Sequence, residues 1–324
     1  DYDKLTKNQI IAADVAPETR YTSAVRNVGE ISNKGIEIAL NLTPIRTKEV
    51  EWDLGVTFSK NWSKVNKLWN EGDKPVTEYV LKTAYSANFV AKVGEPLGIF
   101  QVPALATVQD ENSPYYGKVI VDANGIPTTS NSEMKTIGSS APDFNMGFNT
   151  RVSYKGFTLS AVADWRKGGY MYSYTAQLMH FVGNTTRSLF NNREPFVVPN
   201  SVIALKDGGY AENNRPVTSD NMSSYYSDSY SDSQFENFII PKGYVKLREL
   251  VLSYSFPKAW ISKLGIQQLD LSLIGRNLFM WTPKANNYVD PETTTFGNDI
   301  ASELGEFAAL PSTRNIGGGI KVVF

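Results

Sequence analysis

The chain has 324 residues, with 32 basic and 33 acidic side chains and a net charge of -1, so nothing in the balance points to nucleic acid. It has no cysteine and a single histidine, His180, which removes disulfides, thiol chemistry and multi-histidine metal sites and makes a serine–histidine triad improbable; neither cofactor nor metal is expected. The hydrophobic share is 41%, yet no apolar run approaches the eighteen or so residues of a membrane helix, which excludes a helical membrane protein but not a β-barrel, whose alternating strands look only half apolar.

In chain order, Asp1–Arg26 is mixed, with a short apolar group at Ile10, Ile11 and Val15, and reads as the end of a strand followed by a loop. The opening Asp1–Tyr2–Asp3–Lys4 lacks the basic and apolar regions of a signal peptide, which for an exported protein implies a mature chain or a fragment. Gly35 then opens an alternation with Ile36, Ile38, Leu40 and Leu42 on one face and Glu37, Ala39, Asn41 and Thr43 on the other; Pro44, which cannot donate to a ladder, is expected to stop it. A turn leads to Val50, Trp52, Leu54, Val56 and Phe58 against Glu51, Asp53, Gly55, Thr57 and Ser59. From Ser63 to Pro142 the alternation fails among scattered Gly and Pro, the mark of a long folded loop.

Phe144, Met146, Phe148, Thr150, Val152 and Tyr154 then alternate with Asn145, Gly147, Asn149, Arg151 and Ser153. After a Lys155–Gly156 turn, Phe157, Leu159, Ala161, Ala163 and Trp165 alternate with Thr158, Ser160, Val162, Asp164 and Arg166. The hairpin fits a membrane crossing or a long hairpin of a soluble barrel. A second irregular stretch, Lys167–Lys242, holds a short helix predicted over Thr175–Phe190 from the spacing of Leu178, Phe181, Val182 and Leu189, and a Tyr225–Asp232 tract that reads as too polar for a core. The acidic spacing of that tract does not match an EF-hand. Strands follow at Tyr244–Phe256, at Leu269–Trp281 and, after a third irregular stretch (Thr282–Arg314), at Asn315–Phe324.

Connection lengths decide between the two classes. They run short, long, short, long, short, long, which puts every long loop on one side of the sheet, as in outer-membrane barrels with short periplasmic turns and long extracellular loops. The expected fold is all-β, an antiparallel transmembrane barrel in contact with outer-membrane lipid, with Phe324 at the periplasmic end. Seven full strands are visible, eight with the first stretch, and loops this long suit part of a much larger barrel.

Several ordered motifs carry a resemblance: Asn27–Glu37, Trp52–Gly55, Phe58–Asn61, Val93–Gly98, Ala141–Phe144, Tyr244–Arg248, Gly275–Leu278, Asp290–Glu292 and Pro311–Arg314. Over essentially its whole length the sequence resembles the C-terminal part of the barrel of SusC-like TonB-dependent transporters. The resemblance implies a barrel of about twenty-two strands around a plug, a SusD-like lipoprotein as lid, TonB as energy source through an N-terminal part outside this chain, and import of an oligosaccharide or peptide. Phe324 is then taken as an assembly signal.

Asp53, Arg151, Asp164, Arg166, Asp270 and Arg276 fall on the polar face and are expected to line the lumen, where they contact plug or substrate or satisfy one another. Tyr225, Tyr226 and Tyr230 are the loop aromatics considered for ligand contact, against an ordinary loop role. Trp62, Trp69 and Trp281 are expected in the interfacial girdle. A passive porin and a non-transporting receptor or adhesin remain alternatives; no nucleophile–base constellation suggests an enzyme.

Overall fold

The computed structural model describes residues 1–8, 10–14, 23–27, 29–226, 232–296 and 300–324. Eight strands form one antiparallel sheet: β1 (Tyr2–Lys7), β2 (Glu30–Arg46), β3 (Val50–Lys67), β4 (Phe144–Tyr154), β5 (Phe157–Lys167), β6 (Tyr244–Ser255), β7 (Gln268–Trp281) and β8 (Asn315–Val323). Each pairs with its neighbour in chain order, so the sheet is a pure meander. The eighth strand is the Tyr2–Lys7 stretch, held against Glu30–Gly35.

The register carries the sequence alternation across all the strands. Phe148 lies opposite Val56 on one side and Ala163 on the other, while Asn149 lies opposite Gly55 and Val162. One face is therefore apolar from strand to strand. Its side chains are open to the surroundings, with Ile38, Leu40, Leu159, Leu273 and Ile320 all exposed. A soluble protein would bury such a face.

Aromatic rings edge this band at both ends. Phe144 contacts both Phe58 and Trp165 at the loop end, with Phe279 stacked on Trp281 nearby in register. Phe157, Tyr254, Phe256 and Trp260 form a chain at the short-turn end. Ten steps from Phe144 to Tyr154 span about 33 Å along the strand, or about 25 Å once a barrel tilt of about 40° is applied, the height of an outer-membrane apolar band. Lys60, Lys155 and Lys167 lie over rings of Trp62, Tyr154 and Phe144, so their charges reach the interface while their stems stay on the apolar side.

Three expectations need correction. Pro44 does not end its strand: β2 continues to Arg46, and the register skips from Leu42↔Leu54 to Ile45↔Trp52, a bulge that removes the need for a donor at the proline. Trp69 is not in the girdle. It packs edge-on against Tyr79 over Val65, Leu68 and Ala91, because β3 runs on past the band to Lys67 and carries it into the first loop. The helix predicted over Thr175–Phe190 is shorter: α1 spans Tyr174–Phe181 and buries Ala176, Gln177 and His180, whereas Leu178, Phe181, Val182 and Leu189, whose spacing placed it, are exposed.

The loop-end connections are not separate excursions. Among the described residues, Phe89, Phe100, Tyr172, Phe235, Phe238 and Leu304 share one cluster, drawn from connections that depart after β3, β5 and β7. Short ladders stitch the same connections together. Val119–Val121 pairs in parallel with Ser201–Ala204, and Tyr170–Ser173 pairs with both Ile239–Pro241 and Gly305–Glu306. The packed core of this chain is thus in its loops, because the sheet presents one face to lipid and the other to a polar interior.

Among the described residues the sheet does not close on itself: β1 and β8 are its two edges. Unpaired strand edges are not tolerated in hydrocarbon. These 324 residues refolded alone in detergent should therefore fail to give a closed, heat-resistant monomer, as read by heat-modifiable gel migration.

Candidate functional site

On the polar face, at the loop end, a cavity of about 530 Å³ has a floor of Thr57, Ser59, Asn145 and Gly147 and a wall of Asp164, Arg166, Tyr244, Arg248 and Glu292. The wall depends on a bulge. The β5–β6 register runs Ala163↔Leu247 and then Val162↔Glu249, leaving Arg248 as the extra residue. Tyr244 and Lys246 alternate onto the polar face before the bulge, and Glu249, Val251 and Ser253 after it. Arg248 joins the polar side, as its contacts prove.

Those contacts converge on one loop carboxylate. Glu292 Oε1 accepts from Tyr244 OH (2.7 Å) and Arg248 Nη2 (2.5 Å); Oε2 accepts from Lys246 Nζ (2.5 Å) and Arg248 Nη1 (2.6 Å). Arg248 Nε also donates to Asp164 (2.5 Å), and Lys246 to the buried Asp290 (2.5 Å). A bidentate arginine and a buried ammonium make this a strong clasp. Nearby, Lys242 at the end of the second loop is paired with Glu303 of the third at 2.5 Å. The third loop is thereby strapped onto the polar face beside the cavity.

Burial opposes the charged form of Glu292, but hydrogen bonds from Arg248, Lys246 and Tyr244 outweigh it and hold its carboxyl at about 2. A carboxyl lowered in the folded state stabilises it fully above the unfolded value of about 4.3 and loses that contribution as pH falls toward the folded value. The strap should therefore loosen between about pH 4.5 and pH 2. A spin label on Thr294→Cys, in a segment with no other cysteine, should sharpen over that range and stay broad from pH 5 to 8.

Three rings from three loops lie parallel. Tyr174 and Phe307 stack with centroids 3.9 Å apart and planes 4° from parallel. Tyr85 lies 5.6 Å from Tyr174 and 4° from parallel. The ladder that pairs Ser173 with Glu306 puts the first two rings next in register. Glu306 is fully buried and accepts from Ser173 Oγ, from Thr175 N and Oγ1, and from Ala309 N, so the backbone beside both rings is fixed.

No family model matches the chain. It is 24% identical over 345 residues to TonB-dependent receptor P3 of Formosa agariphila, covering all of this chain and 32% of that protein. It is 24% identical over 274 residues to TonB-dependent receptor SusC of Bacteroides thetaiotaomicron, covering 80% of this chain and 24% of the receptor. The chain is a homologue of the SusC-like TonB-dependent receptors. The structure of the RagAB peptide transporter matches with a TM-score of 0.62 at 20% identity, over 99% of this chain and 32% of that one. This SusC-like chain therefore spans about a third of the length of the relatives it matches, and its sheet is a segment of an outer-membrane β-barrel.

In the SusC-like barrel segment, the six polar-face residues do not form one site. Asp164 and Arg166 belong to the cavity wall. Asp53 lies opposite Arg151 near the short turns and accepts from Thr43 at 2.8 Å. Asp270 lies opposite Lys321, and Arg276 pairs with Glu249 at 2.8 Å.

The loop tyrosines sit deeper than their tract implied. Tyr226 is buried and donates to Arg187 O at 3.0 Å, and Tyr225 packs edge-on against Phe196 beside Val121, Val198 and Val217. The tract is polar in composition, but a short helix, Met222–Tyr226, turns both rings inward; the two still line a cavity of about 490 Å³ with Phe190 and Gln234. Tyr230 and Val15 lie outside the described residues. Phe324 is exposed at the short-turn end of the last strand.

Sequence reasoning missed Lys246, Arg248 and Glu292 as one unit, though both segments were noted as motifs. It also missed Tyr85, Tyr174 and Phe307, which no periodicity connects.

Proposed function

We propose that this segment belongs to a TonB-dependent importer of a large nutrient, an oligosaccharide or peptide, working with a SusD-like surface lipoprotein. The observation that carries the reading is the placement of all the long connections at one end of the sheet, where they pack into one body strapped beside a polar cavity. A diffusion pore has no need of such a body, whereas a gated importer needs a rim that binds a ligand and a lid. The exposed Leu178, Phe181, Val182, Leu189 and Phe190 give that rim an apolar patch for the lipoprotein to cover. TonB acts through a part of the protein outside this chain, and Phe324 serves barrel assembly.

The test uses the complete protein in cells. Removing TonB should abolish nutrient uptake, and Phe181→Asp with Phe190→Asp should release the lipoprotein during copurification while the barrel still inserts. Uptake that persists without TonB would mean a porin. Lipoprotein retention with no uptake of any oligosaccharide or peptide would mean a receptor or adhesin.

A further inference from the structure

We propose that Tyr85, Tyr174 and Phe307 form a stacking subsite for a pyranose ring of a neutral oligosaccharide, which deepens the import reading by naming a substrate class and rests on it. Their planes agree within 7°, and Tyr85 and Phe307 are 51% and 46% exposed, while neighbouring Tyr172, Phe235 and Phe238 are fully buried. Rings needed only for the loop core would be drawn into it as those neighbours are.

The backbone points the same way. Tyr85 occupies the first position of the two-residue turn closing Ala84↔Ala87, with φ at 52°. Glycine or asparagine is the usual occupant of such a position, because a Cβ is strained there. Ala308, beside Phe307, has φ at 52° as well. Strained backbone beside both outward rings is the pattern found where a side chain is held for contact rather than for folding.

The surface is also preorganised. Glu306, the acidic group nearest in sequence, is spent beneath the rings on four hydrogen bonds. A rigid aromatic face loses little freedom on binding. The C–H face of a pyranose is flat and apolar, with hydroxyls at its rim, so it matches a flat aromatic face.

The test is calorimetry on the complete detergent-solubilised receptor with a panel of neutral hexasaccharides: maltohexaose, cellohexaose, laminarihexaose, xylohexaose and mannohexaose. At least one should bind. Tyr85→Asn keeps a residue suited to the turn while removing the ring, so it should fold as well as the parent yet bind at least tenfold more weakly. Tyr85→Phe should retain binding, and Phe307→Ala should lose it to a similar degree. Binding by no member of the panel, binding indifferent to Tyr85→Asn and Phe307→Ala, or peptide binding that these substitutions abolish would each overturn the proposal. TonB-dependent uptake of peptides alone would leave the import reading intact and sink this subsite. Oligosaccharide binding at the rings with TonB-independent uptake would do the reverse.

Discussion

Replacing Lys246 by methionine should free the third loop from the polar face at a cost of about 3–5 kcal/mol, the usual penalty for removing one member of a buried ion pair. The Lys246 and Asp290 side chains are 7% and 6% exposed, so water cannot take over the lost contact. Glu292 would also lose one of its four donors. The expected readout is faster hydrogen exchange over residues 286–306, with the β4–β5 hairpin unchanged. The double change Lys246→Met with Asp290→Leu should recover most of the loss, because two well-packed apolar groups remove the stranded charge instead of leaving it. Equal exchange in parent and single variant would mean that the strap does not hold the loop.

The second large effect concerns the two faces of β4. Phe148→Arg places a guanidinium on the apolar face midway between the aromatic rims and should cost roughly 2–4 kcal/mol in a folding titration of the complete protein in lipid. Asn149→Arg points to the polar face, where its amide now lies against Gly55, and should cost much less. Equal costs would mean that the faces are assigned the wrong way round.

The strands were legible because a period of two survives in a membrane barrel: lipid demands one kind of residue and the interior another. The Lys155–Gly156 turn was legible too, since both residues take positive φ in a tight hairpin. Pro44 misled because a bulge is a matter of register, which a single strand does not carry. The loop core was hidden for a related reason. Phe89, Phe238 and Leu304 meet only because intervening strands bring three distant segments to one end of the sheet. Periodicity over eleven or so residues cannot report such a meeting, and it also could not show that the helix predicted over Thr175–Phe190 stops at Phe181. The Glu292 clasp lay within two noted motifs, and its missing piece was the bulge that brings Arg248 into line.

The shared loop core has a consequence for how the molecule is made. Phe89, Tyr172 and Leu304 belong to three different connections, separated by strands of the sheet. Contacts separated by that much chain carry a large closure cost and form late. The loop core is therefore expected to condense only after the strands that carry its contributors are paired. A strand that fails to insert leaves the core without one of its contributors, exposing apolar rings that quality-control proteases can recognise.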